Sequence, residues 1–101
     1  MLQKIEARQA VPFDYADADF SAPVRVQGAE KRVCGSALKV CSDKRYKLFT
    51  ETKDYIKILS GGGFIKWSRG ETPFAAGDIF LAEAIGEYEL SGACEFIAVR
   101  L

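Results

Sequence analysis

The chain has 101 residues, a length that suits one domain with a modest core. Its 14 Lys and Arg balance 14 Asp and Glu, so the formal net charge is zero. That balance argues against nucleic acid as a partner, which needs a basic surplus, and no apolar run reaches membrane-spanning length.

The first twenty-two residues read as an arm. "MLQKIEARQA" has weak helical spacing through Leu2 and Ile5, and it lacks the long apolar stretch of a secretory signal. Pro12 ends the segment. "FDYADADFSAP" follows, and its Asp14, Asp17 and Asp19 read as a solvated loop. The glycine and closing glutamate of a calcium loop are absent. Phe13, Tyr15 and Phe20 are expected to pin the arm to the body.

From residue 23 onward the chain breaks into short strand-like runs between turn residues. "VRV" precedes the turn "QGAE". "RVCGSALKV", "YKLFT", "YIKIL", "FIKWS", "TPF", "IFLA", "YEL" and "CEFIAVRL" follow in order. The alternation in Tyr55–Leu59 and Phe64–Trp67 has period two. If Asp54 points inward, Ile56 and Ile58 do too, and Lys57 points away. Gly61, Gly62 and Gly63 are expected to reverse the chain between "YIKIL" and "FIKWS". A strand pattern follows these glycines, so they do not form a phosphate loop, which needs a helix there. The pattern predicts an all-β fold, a barrel or sandwich over residues 23–101 behind an arm at 1–22. Cys34, Cys41 and Cys94 are odd in number and lack a C-x-x-C pair, so they read as free thiols in a reducing cytoplasm.

Gly77 stands six residues before Glu83, eight before Ile85 and eleven before Tyr88, with Gly92 four beyond. This spacing resembles the second motif of the cupin superfamily, which implies a jelly-roll barrel. Tyr88 stands where that motif carries its metal-binding His. Counting back from Gly61 places Lys47 and Phe49 at the two His slots of the first motif. Asp54, or Lys53 with a one-residue slip, falls at its Glu slot. A protonated amine and a phenyl ring cannot hold zinc, iron or manganese, so neither metal nor cofactor is expected.

Residues 57–101 are similar to the C-terminal barrel of bacterial type I mannose-6-phosphate isomerases, on Ile85-Gly86-Glu87-Tyr88 and Gly92-Ala93-Cys94-Glu95. The resemblance implies a companion barrel whose zinc-binding catalytic half lies elsewhere. It implies a non-catalytic module that binds a sugar or sugar phosphate, with Lys47, Phe49, Asp54, Glu87 and Tyr88 at the barrel mouth. The alternatives are a sugar isomerase or epimerase using Tyr88, Glu87 and Lys47 as its acid–base set, or a purely structural dimerising barrel. The missing net charge and the apolar arm lead to an expected homodimer, through the arm or an outer sheet face. The rival partner is a separate catalytic isomerase subunit.

Overall fold

The computed structural model describes residues 1–101 and contains ten strands. They are β1 (Leu2–Ile5), β2 (Val24–Val26), β3 (Ala29–Cys34), β4 (Ala37–Ser42), β5 (Arg45–Thr50), β6 (Lys53–Trp67), β7 (Gly70–Ala75), β8 (Ile79–Glu83), β9 (Gly86–Ser91) and β10 (Cys94–Arg100). The only helical pieces are single 3-10 turns at Ala7–Gln9 and Asp17–Asp19. No helix is long and apolar enough to cross a membrane.

All pairings are antiparallel. One sheet runs β1-β8-β6-β10-β4-β3-β2. The other runs β5-β9-β6-β7, so β6 belongs to both. Their inner faces enclose a core of Val40, Tyr46, Ile56, Ile58, Ile65, Phe74, Phe80, Tyr88, Leu90 and Phe96, with Trp67 and Leu48 packed at its margin. The expected parity of the first half of β6 holds. Asp54, Ile56 and Ile58 are buried, while Tyr55 and Lys57 lie on the other face.

The expected runs map onto strands with two regroupings. "RVCGSALKV" is not one strand but the hairpin β3–β4, turning at Gly35-Ser36. "YIKIL" and "FIKWS" are not two strands but one, and Gly61-Gly62-Gly63 do not reverse the chain. The glycines instead let β6 pass from one sheet to the other. Its first half pairs with β8 and β10, and its second half with β7 and β9. At this corner the backbone of Gly61–Gly63 touches that of Ser91–Cys94, and Gly62 N–H donates to the Ala93 carbonyl at 3.3 Å. Gly61 has φ 84°, and a Cβ there would collide with the Ala93 carbonyl. Gly61→Ala is therefore expected to cost more than about 1 kcal/mol, read as a lower urea midpoint.

The start of the chain also differs from its helical reading. Leu2–Ile5 is a strand, paired with β8 from Leu2↔Ala82 to Ile5↔Ile79. Ten residues of weak periodicity cannot offset the cost of nucleating a helix, whereas the open edge of β8 satisfies the backbone groups of Leu2–Ile5 directly. The first residues are thus part of the barrel sheet, and the division at residue 22 does not separate two bodies.

The rest of the arm crosses the outer face of the first sheet. Phe20 is buried with Ala37, Ile97 and Val99, and Val11, Phe13 and Tyr15 pack against that group. Asp17 Oδ1 accepts from Arg32 Nη1 at 2.6 Å and from Lys39 Nζ at 2.9 Å. Both cations also lie 5.8 Å from the centre of the Phe20 ring. Asp17 is held below the usual carboxylate range, first by its hydrogen bond from Lys39 and then by that from Arg32. The arm covers its own barrel. Phe20 is buried there, and Val11, Phe13 and Tyr15 are half-buried against it.

Candidate functional site

Asp54 is 1% exposed, at the start of β6. Its register partner on β10 is Arg100. Arg100 Nε donates to Asp54 Oδ1 at 2.8 Å, and Arg100 Nη2 donates to Oδ2 at 3.0 Å. Tyr88, from β9 in the opposite sheet, donates its hydroxyl to Oδ2 at 2.6 Å. Arg100 Nη2 also donates to the Phe49 carbonyl. This two-pronged guanidinium–carboxylate pair is the strong form of the contact, and it closes one end of the barrel between the two sheets. Burial pushes the Tyr88 phenol well above its usual range, and the Asp54 charge raises it further. The hydrogen bond to Asp54 holds Arg100 more firmly protonated.

The two residues assigned from motif spacing to the Glu and His slots, Asp54 and Tyr88, are therefore in contact. Lys47 and Phe49 are not beside them. On β5 the buried or half-buried residues are Tyr46, Leu48 and Thr50, and Lys47 and Phe49 alternate with them on the outer face. The inward slots are therefore Leu48 and Thr50, one residue later than the count from Gly61 placed them. The pleat decides this, since a one-residue slip exchanges the two faces. The same parity separates Glu87, which is exposed, from Tyr88, which is buried. The acid–base set of Lys47, Glu87 and Tyr88 is therefore not assembled around one point.

The cupin fold raises the question of a metal at the inward slots, and the donors there do not fit one. Leu48 has no donor atom, and Thr50 offers a neutral hydroxyl. Tyr88 is a donor to Asp54, and both Asp54 oxygens are engaged by Arg100. The guanidinium is the cation of this end of the barrel. Arg100 was not singled out from the sequence. Its signal was present in "CEFIAVRL": a lone cation in an apolar strand, on the same parity as Phe96 and Ala98.

Cys94 also faces inward, and burial raises its thiol to about 11. Its unfolded value is 9.0, so the folded state holds the proton more tightly. The associated stability is present below pH 9 and is lost as pH rises toward 11, in the same direction as the loss from Tyr88. A falling melting temperature across that window, diminished in Cys94→Ala, is the expected result. An unchanged slope in the variant would remove Cys94 as a cause.

A second assembly lies on the outer side of the second sheet. A depression of about 340 Å³ is lined by Lys47, Lys66, Trp67, Ser68, Glu87, Tyr88 and Glu89. Glu89 is the register partner of Lys47 on one side and of Lys66 on the other. Lys47 Nζ lies 3.9 Å from Glu87 Oε1, a loose and exposed pair, and Lys66 forms no ion pair. Three of the residues expected at the site, Lys47, Glu87 and Tyr88, line this depression. Phe49 is 54% exposed on the same face of β5, and Asp54 lies inside the barrel.

No sequence-family model matches the chain, and no curated protein matches it by sequence. Solved structures do match by shape. Mannose 6-phosphate isomerase from Bacillus subtilis superposes with a TM-score of 0.65 at 19% identity, over 94% of this chain and 33% of that one. The isomerase from Salmonella typhimurium, bound to fructose 6-phosphate and zinc, gives 0.59 at 8% identity, over 78% of this chain and 22% of that one. A Tyr-to-Phe variant of the Streptomyces protein PAC13, with uridine, gives 0.67 at 18% identity, over 90% of this chain and 83% of that one. These likenesses define the class: an all-β, cupin-like barrel. Within it the chain resembles the barrel of mannose-6-phosphate isomerases, and it spans about a third of the Bacillus enzyme's length.

Proposed function

We propose that this barrel is a non-catalytic module that binds a sugar or sugar phosphate in the depression on the outer side of its second sheet. The observation that carries this reading is the lining of that depression. Lys66 is an unpaired cation and Lys47 a loosely paired one, either of which can take a phosphate. Glu87 and Glu89 accept from hydroxyls, and the half-buried Trp67, whose side chain packs against the core, borders the depression. The locked Asp54–Tyr88–Arg100 contact supports a non-catalytic role, because its hydroxyl and carboxylate are already committed to each other. Two of the similar structures contain a phosphosugar or a nucleoside, fructose 6-phosphate and uridine, which favours the same ligand class.

Trp67 is the only tryptophan and sits between the core and this depression, so its fluorescence is sensitive to a ligand bound beside it. Titration with mannose 6-phosphate and fructose 6-phosphate is expected to give a saturable change that weakens in Lys66→Gln. Uridine and inorganic phosphate serve as comparators, separating recognition of the ring from recognition of the phosphate. A flat titration with every compound, together with an unshifted melting temperature, would reject the reading. Because the arm occupies the first sheet, the outer face of the second is also where we place a second copy or a catalytic subunit. Light scattering with and without the sugar phosphate tests whether ligand and partner compete.

A further inference from the structure

A different hollow, of about 290 Å³, lies between the arm and the outer face of the first sheet. Its walls include Val11, Pro12 and Phe13 from the arm and Ile79 from β8. Lys57 of β6 and Asp14 of the arm also line it. The row across the sheet at this level is Ile5–Ile79–Lys57–Ile97–Lys39–Arg32, strand by strand. Three cations sit on that row, and a single carboxylate of the arm pairs with two of them. Asp17 takes both Arg32 and Lys39, and nothing takes Lys57. None of the chain's seven ion pairs includes Lys57 or Asp14.

Lys57 is half-buried, flanked in register by Ile79 and Ile97. Its stem packs on that row, and its ammonium has no counter-ion within the chain. The hollow thus presents one unpaired cation, one unpaired carboxylate and apolar walls. We propose that it binds a small organic carboxylate whose apolar body carries a hydrogen-bond donor, the chemistry of an apolar amino acid or hydroxy acid. The ligand carboxylate pairs with Lys57, the donor meets Asp14, and the apolar body lies against Val11, Phe13 and Ile79. The site is separate from the sugar depression and does not depend on it.

Calorimetry and ligand-observed NMR on the whole chain test this with four probes: leucine, its hydroxy-acid counterpart, isocaproate (which lacks the donor) and leucinamide (which lacks the carboxylate). Leucine or the hydroxy acid is expected to bind, and whichever is tighter identifies the source. Leucinamide and isocaproate should each bind about tenfold more weakly, as loss of one charge-assisted contact implies. Lys57→Gln should weaken the acids to a similar degree, and Asp14→Asn should erase the advantage over isocaproate. Binding of neither acid, or equal binding by the wild type and Lys57→Gln, would overturn the proposal.

Discussion

Replacing Arg100 by Met is expected to cost the fold about 3 kcal/mol. The change keeps most of the aliphatic stem and removes the guanidinium. It leaves the Asp54 carboxylate, 1% exposed, with only Tyr88 for company. Removing one member of a buried pair costs about 3–5 kcal/mol, and the 52% exposure of the Arg100 side chain places this case at the low end. Tyr88→Phe should cost less, about 1–3 kcal/mol, because Asp54 keeps both hydrogen bonds from Arg100. Since the three groups share one carboxylate, the two losses should not add. Urea unfolding of the single and double variants measures this. A loss under about 1 kcal/mol for Arg100→Met would show that the pair does not hold this end of the barrel shut.

Ile58→Ala should cost about 2–5 kcal/mol, whereas Lys57→Ala, one residue earlier, should cost under about 1 kcal/mol. Ile58 has no exposed surface and lies in the main core with Phe80 and Phe96. Truncation there removes apolar burial and leaves a cavity. Lys57 faces the other way, and its loss removes only the packing of its stem beside Ile79 and Ile97. Denaturant midpoints of the two variants decide the matter, and equal losses would contradict the strand parity described for β6.

Sequence patterning alone was sufficient for the all-β class and for placing Asp54, Ile56 and Ile58 on one face of their strand, while the contact between Asp54 and Tyr88 emerged only in the structure. The class and the parity depend on local period, which can be read along the chain. The inward residues of β5 were not legible in the same way. The loop between β5 and β6 sets their phase, and Lys47-Leu48-Phe49-Thr50 carries no clean alternation that would choose one phase over the other. The path through Gly61–Gly63 was equally ambiguous. Glycine permits a reversal and a sheet-to-sheet corner alike, and here the close approach of Ser91–Cys94 selects the corner. Leu2–Ile5 became a strand because β8 offered an open edge. Arg100 became the counter-ion of Asp54 because the register of β10 on β6 set them opposite each other, 46 residues apart in the chain. Residues far apart in sequence make these contacts, and only the folded arrangement of the two sheets brings them within reach.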